Sequence, residues 1–305
     1  MKIIDILKSD ELSVSFEVFP PKKASSFETV RSATEGIAAL HPSFMSVTYG
    51  AGGGTSDFTI DIAKHIQEKH HVPMMAHLTC ISSSKEIVRE QIRKMHDAGI
   101  ENVMALRGDI PADMTDEDRS SWDYRHAVEL VTELKESGYD FCIGGACYPE
   151  VHPESSSSLE DILYLKEKVD AGVDFLTTQM VFDNDLFFHF LYQLRERGIS
   201  VPVVPGIMPI TNSTQIYKAI RMSSAFIPRR FKTLSDRFGH DPEAMKAAGI
   251  LFAAEQIIDL YSNGIRHVHV YSMNKPDVAQ GIQDHLRTFL GKNMRHLSGI
   301  RLRNS

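Results

Sequence analysis

Glu17 is the only charged residue in Val14-Ser15-Phe16-Glu17-Val18-Phe19, an apolar run that closes on Pro20-Pro21. A carboxylate at the end of a buried strand loses hydration, which disfavours its charged form and lets it hold a proton near neutral pH, as a general acid must. The competing account is an edge-strand glutamate paired with Lys22 or Lys23. Other apolar runs also end on polar groups: Thr48-Tyr49, His77 and Thr79, Arg107-Gly108-Asp109, Tyr148 and His152, Gln179, and Tyr271. Chains leave the core at strand ends, so any one of these is ordinary; their convergence on one rim would not be. There is no Gly-x-Ser-x-Gly elbow, and no cysteine has a base in its own loop, so covalent catalysis by a nucleophile is poorly supported. His77, His152, His267 and His269 keep a metal-dependent lyase or hydrolase open as an alternative, centred on His77 and His152. His267 and His269, however, alternate with Val268 and Val270 inside a strand, facing one side below the rim, with no acidic residue at metal-ligand spacing. Proton transfer beside an organic cofactor is the chemistry that remains.

Eight short β-branched or apolar runs, each followed by an amphipathic stretch, must position these groups. The strand candidates are Val14–Phe19, Phe44–Tyr49, Met74–Thr79, Asn102–Leu106, Phe141–Ala146, Phe175–Met180, Val201–Ile207 and His267–Tyr271. Serines precede the helical stretches 85–98 and 159–171, and Gly99 and Gly172 follow them, as N-caps and C-terminal stops should. Residues 226–264 exceed one crossover; the pattern puts an extra helix at Arg229–Phe238 before a long one from Pro242 to Asn263. Eight βα units in this length predict a single-domain α/β protein, a (β/α)8 TIM barrel with an extra helix before the last strand. Gly50-Ala51-Gly52-Gly53-Gly54 follows the second strand but is not a Gly-x-Gly-x-x-Gly fingerprint; it reads as a loop that lets a ligand approach the backbone.

Composition narrows the partners. The 305 residues are 42% hydrophobic and 24% charged, with a net charge of −7, so no broad basic surface advertises nucleic acid or an anionic membrane. The N-terminus carries Asp5, Lys8, Asp10 and Glu11 instead of a signal-peptide core, and no run reaches spanning length, which predicts a cytoplasmic protein. Three cysteines without a Cys-x-x-Cys pair, Cys80, Cys142 and Cys147, are expected to be buried reduced thiols.

These residues resemble the methylenetetrahydrofolate reductases, flavoproteins that reduce 5,10-methylenetetrahydrofolate to 5-methyltetrahydrofolate. The resemblance is carried in order by Ser15–Pro21, Ser46–Ala51, Ala76–Cys80, Ala105–Asp109, Tyr148–Pro153 and Pro205–Pro209, across the whole barrel. It implies FAD as cofactor and NADH, or NADPH, as the electron source by ping-pong exchange on one flavin face. Glu17 matches the family's general acid, assigned to N5 of the folate, and Asp109 a carboxylate near both flavin and folate. Thr48, Tyr49, Ala51, His77, Arg107, Gly108, Ala127, Tyr148, His152, Asp161 and Lys168 match flavin-lining positions, with Arg107 and Lys168 supplying charge for the diphosphate. Gln179, Gln215, Tyr271 and Lys275 fall where the family contacts folate; Asn274-Lys275-Pro276 is equally a sound exposed turn and helix start.

Departures carry information too. Glu167 stands beside Lys168 where some relatives have a second basic residue. No regulatory domain is expected within these 305 residues. Family precedent implies a homo-oligomer and leaves open a reductase fed by a partner electron-donor subunit.

Overall fold

The computed structural model describes residues 1–21, 23–49, 56–110, 122–223 and 225–291. Lys22, Ala51 and the rest of the glycine-rich stretch lie outside them. Eight parallel strands pair in chain order and close on themselves: β1 Ser13–Val18, β2 Met45–Val47, β3 Met74–Thr79, β4 Asn102–Leu106, β5 Cys142–Cys147, β6 Phe175–Val181, β7 Val203–Ile207 and β8 His267–Tyr271. β1 is paired on both sides, by β2 and β8, so the edge-strand account of Glu17 fails.

The crossover helices are α2 Phe27–Ala38, α3 Ser56–His70, α4 Lys85–Asp97, α5 Ala127–Glu136, α6 Ser158–Asp170 and α7 Asn184–Glu196; α8 Thr214–Ser223, α9 Arg229–Phe238 and α10 Pro242–Ser262 follow β7, and α11 Pro276–Leu286 follows β8. Local chemistry sets their limits. Ser84 Oγ accepts from Ile87 N at the start of α4, and Ser157 Oγ accepts from Glu160 N at the start of α6. Asp241 caps α10, whose first residue is Pro242, a ring that needs no partner for a missing N–H. Gly172 stops α6 at φ 122°, a conformation that a side chain would strain. Both α9 and α10 fall where the long connection predicts them. The short α1, Ile3–Leu7, has no counterpart in that reading, because five residues are too few to show a helical period.

Period-two alternation divides each strand between two cores. Val14, Phe16 and Val18 face outward into the layer between sheet and helices, with Met45, Val47, Met74, Ala76, Leu78, Val268 and Val270. Inward residues fill the barrel in tiers. At the bottom, Ile3 and Leu7 of α1 plug the barrel against Phe44, Met75, Met104, Cys142, Phe175 and Val204. Gly144 leaves room for them, since a Cβ there would sit 2.8 Å from the Phe175 ring. Above that apolar floor, the inward positions of β1, β2 and β8 turn polar: Ser15, Ser46 and His269 are each at most 1% exposed. Glu17 is the next inward residue of β1.

Candidate active site

At the C-terminal rim the loops enclose a cavity of about 1520 Å³. Its lining takes in Glu17, Thr48, Tyr49, His77, Arg107, Gly108, Asp109, Ala127, Tyr148, His152, Asp161, Lys168, Gln179, Gln215 and Tyr271, so nearly every residue singled out from the sequence converges there. Lys275 is the exception among the described residues. It is exposed beyond the lining, with Nζ donating to Thr211 Oγ1 at 3.1 Å. Gln215 reaches the same segment, its Oε1 accepting from Thr211 N and Asn212 N at 2.8 and 3.0 Å.

The floor is built around Glu17. Its Oε2 lies 3.4 Å from Ser46 Oγ, 3.5 Å from His77 Nε2 and 3.9 Å from His269 Nε2, and its side chain is 11% exposed. Strand register explains the company: Glu17 pairs directly with Ser46 and with Tyr271. Burial lowers the pKa of His77 despite the opposing pull of Glu17, so the ring is neutral at pH 7. His77 Nε2 is a buried atom without a hydrogen-bond partner, in a wall that faces the cavity.

One side of the mouth carries the cations. Arg107, at the end of β4, makes a two-pronged ion pair with Glu154, NH1 to Oε2 at 2.5 Å and NH2 to Oε1 at 2.8 Å. That pairing raises the guanidinium pKa further. Gly108 follows at φ 93°, and a Cβ there would lie 2.9 Å from Ile81 and 3.0 Å from Thr79, so the turn admits no side chain. Lys168 of α6 donates to the Ala146 carbonyl; burial lowers its pKa, partly offset by Cys147 and Asp161. Asp109 is exposed on the rim and, after burial, is the next cause of the raised Tyr148 phenol. Asp161 works as a clamp: its carboxylate accepts from His152 N at 3.1 Å and Ser155 Oγ at 3.2 Å, fixing the loop after β5. Val151 in that loop has φ 72°, which strains a β-branched residue.

The opposite side is shaped by an irregularity in β6. The register with β7 slips between Thr177 and Met180, a bulge that re-aims the side chain at Gln179. Gln179 Oε1 accepts from Met180 N at 2.9 Å. Tyr271 crosses from β8, its hydroxyl donating to the Thr178 carbonyl at 2.6 Å, and burial pushes this phenol well above the usual range.

Sequence reasoning passed over several lining residues. His126 and Tyr164 present near-parallel rings, 12° apart in plane with centroids at 6.4 Å, one from the start of α5 and one from α6. Only proximity across two crossovers unites them, so no linear pattern could have found them. Ser46 and His269 were visible as inward-facing residues of their strands, yet their contact with Glu17 was not. Among the described residues no group of three or more His, Cys, Asp or Glu is placed to hold a metal ion.

Residues 2–287 match the sequence profile of the methylenetetrahydrofolate reductases. The chain belongs to that family. As a member it is an oxidoreductase, and its relatives are found in bacteria and plants. It is 38% identical over 271 residues, 89% of each chain, to a 5,10-methylenetetrahydrofolate reductase from Pectobacterium carotovorum subsp. carotovorum. It is 35% identical over 296 residues, 92% of this chain and 50% of the relative, to methylenetetrahydrofolate reductase (NADH) 1 of Arabidopsis thaliana. Among solved structures, an uncharacterized protein from Clostridium thermocellum described as binding two copies of 5-methyl-5,6,7,8-tetrahydrofolic acid superposes with a TM-score of 0.63. That match covers 93% of this chain and 97% of the other at 15% identity, and it shows a shared fold. Among the described residues of this reductase, no helix is long and apolar enough to cross a membrane.

Proposed function

We propose that this reductase converts 5,10-methylenetetrahydrofolate to 5-methyltetrahydrofolate, with FAD as its resident cofactor, NADH or NADPH as donor and Glu17 as general acid. The observation that carries the reading is the place of Glu17: a buried carboxyl on the floor of the cavity, in a member of this family.

The residues present fit a flavin dinucleotide. A cavity of about 1520 Å³ exceeds the roughly 300–1,000 Å³ of a single small-ligand pocket, leaving room for cofactor and substrate together. Arg107 offers a planar fork of the kind that matches a diphosphate, and the side-chain-free turn at Gly108 allows close approach. His77 Nε2 is an unpartnered polar atom that a bound ring could satisfy. Thr48, Tyr49, Ala127, Tyr148, His152, Asp161 and Lys168 complete this set of proposed cofactor positions. Bound there, a flavin would supply the hydride-transfer chemistry between the nicotinamide and the folate carbon.

The protein's own part is to deliver one proton and stabilise one cation. The product carries its methyl on N5, so the bond that breaks is from the methylene carbon to N10, and the leaving nitrogen is the one that needs the proton. Bond accounting therefore moves the assignment for Glu17 from N5 to N10. Loss of that bond creates a cationic iminium at N5, and Asp109 on the rim is the carboxylate assigned to favour it electrostatically. Gln179 and Gln215 are assigned to the folate, with Tyr271 beneath them and Lys275 at the outer edge.

Anaerobic stopped-flow on FAD-loaded protein, following flavin absorbance, separates the two half-reactions. Glu17→Gln should leave nicotinamide oxidation near wild type and slow folate reduction by about 10²- to 10⁴-fold. Equal damage to both half-reactions would assign Glu17 a structural role instead.

A further inference from the structure

β1 outruns its neighbour at the rim. Glu17 pairs with Tyr271, the last residue of β8, and the chain then runs on through Val18 and Phe19 to Pro20-Pro21, residues without an N–H. On the β2 side main chain serves this strand end, Thr48 N donating to the Val18 carbonyl at 3.0 Å. On the β8 side it is served by side chains. Ser272 Oγ donates to the Glu17 carbonyl at 2.6 Å, Asn274 Oδ1 accepts from Phe19 N at 2.8 Å, and Asn274 Nδ2 donates to the Phe19 carbonyl at 3.0 Å. The partners fix the amide's orientation, because only its oxygen can face an N–H and only its nitrogen a carbonyl.

A carboxamide carries the donor and the acceptor of a peptide group, so Asn274 stands in for the strand residue that β8 no longer supplies. Presenting it takes a strained turn. Lys275 N donates to the Ser272 carbonyl at 3.1 Å, closing a turn whose central residues, Met273 and Asn274, have φ 56° and 53°. Asparagine enters that left-handed region readily; methionine seldom does. Strain of this kind persists where the surroundings over-determine it, and it gathers at functional sites. A glycine at 274 would take up the turn freely but would leave Phe19 N and its carbonyl without these partners. The turn also brings Met273 into the cavity lining with Phe19 and Glu17. Ser272 is 1% exposed, so its bond to the Glu17 carbonyl is sheltered from water.

We propose that Asn274, with Ser272, is a positioning residue for the general acid: the pair fixes the main chain at Glu17 and Phe19 and so sets where the Glu17 carboxyl meets the folate. The inference rests on the general-acid reading of Glu17 and says what holds that acid in place. The carboxyl itself is loosely held. Its Oε2 lies 3.4 Å from Ser46 Oγ and 3.5 Å from His77 Nε2, both long for hydrogen bonds, so its height above the floor depends on the main chain that carries it. Proton transfer is sensitive to that height, since a donor must come within about 2.6–3.2 Å of the atom it protonates. Oxidation of the nicotinamide takes no proton from Glu17, so the clamp bears on one half-reaction. Ser272 and Asn274 act on main chain, and no proton passes through them.

The test compares Asn274→Gly, which suits the turn but has no amide, with Asn274→Ala, which loses the amide and keeps the strain. On FAD-loaded protein reduced with dithionite, the folate half-reaction should slow by about 10- to 100-fold in both, as a small misplacement of a reacting group does. Flavin reduction by NADH should stay within a few-fold of wild type. A normal rate in Asn274→Gly alone would assign the effect to strain and overturn the clamp. Hydrogen exchange read by mass spectrometry follows the clamp without catalysis: the segment holding Phe19 should exchange faster in Asn274→Gly, with the other strands protected as in wild type. Equal slowing of both half-reactions, or faster exchange at Phe19 with folate reduction unchanged, would also overturn the proposal. Glu17→Gln is measured beside them. If it loses folate reduction while both Asn274 variants keep it, the positioning role alone fails; if all three keep it, the general-acid reading fails as well.

Discussion

Arg107 and Glu154 close on each other across the cavity mouth in a two-pronged ion pair, with contacts of 2.5 and 2.8 Å. The carboxylate thus occupies the face of the guanidinium that a diphosphate would use. Glu154→Gln should tighten FAD binding several-fold, and Arg107→Ala should weaken it by more, since charge-assisted forked bonds are the stronger kind. Titration of flavin fluorescence against apoprotein reads both; unchanged affinity in Glu154→Gln would show that the pair persists beside the cofactor.

Tyr271 packs directly over Gly206. A Cβ at that position would sit 2.5 Å from the Thr178 carbonyl oxygen and 2.6 Å from the Tyr271 hydroxyl. Gly206→Ala should therefore cost about 1–3 kcal/mol through overpacking. Tyr271→Phe, which strands the Thr178 carbonyl, should cost about 1–3 kcal/mol. Thermal melts of each variant provide the check.

Glu150 links the loop after β5 to the connection between α8 and α9, its Oε1 accepting from Phe226 N at 3.0 Å. Burial pushes its pKa up to about 7, with Asp183 adding to the rise and the Phe226 bond opposing it. The folded state then binds this proton more tightly than the unfolded chain does, so stability falls as pH rises from about 4.5 to about 7 and stays reduced above. Glu150→Gln keeps an acceptor for Phe226 and should stabilise the protein at pH 8 by about 1 kcal/mol, discounted for the carboxylate's partial exposure, with little effect at pH 4.5. A gain of equal size at both pH values would mean that charge is not the cause.

The three cysteines are buried free thiols, pushed up to about 12, 11 and 12 at Cys80, Cys142 and Cys147. At pH 8 the native protein should therefore react with an aromatic disulfide reagent at none of them within minutes, while the protein unfolded in guanidinium should release three equivalents. Rapid native labelling of any one thiol would contradict its burial.

The barrel was legible in the linear sequence because its signals are local. Eight strands, the caps at Ser84 and Ser157, the stop at Gly172 and the insertion α9–α10 all follow from periodicity and turn chemistry within about twenty residues. So did the rim set, since a strand end marks where a side chain can meet the cavity. Ala51 aside, for which no position is described, the proposed cofactor residues line one cavity, those at strand ends joined there by Ala127, Asp161 and Lys168 from the helices, which the family resemblance alone had pointed to.

Tertiary structure alone decided how those groups are wired. The ring closure that sets Ser15 beside His269 spans more than 250 residues of sequence, and nothing in either segment records the 2.7 Å contact. Likewise, the Arg107–Glu154 pair, the rings of His126 and Tyr164, and the α1 plug depend on which loops meet after closure. Local sequence determined which residues face inward, because side-chain direction follows the backbone period. Which inward groups touch one another depended on distances that only the closed barrel fixes.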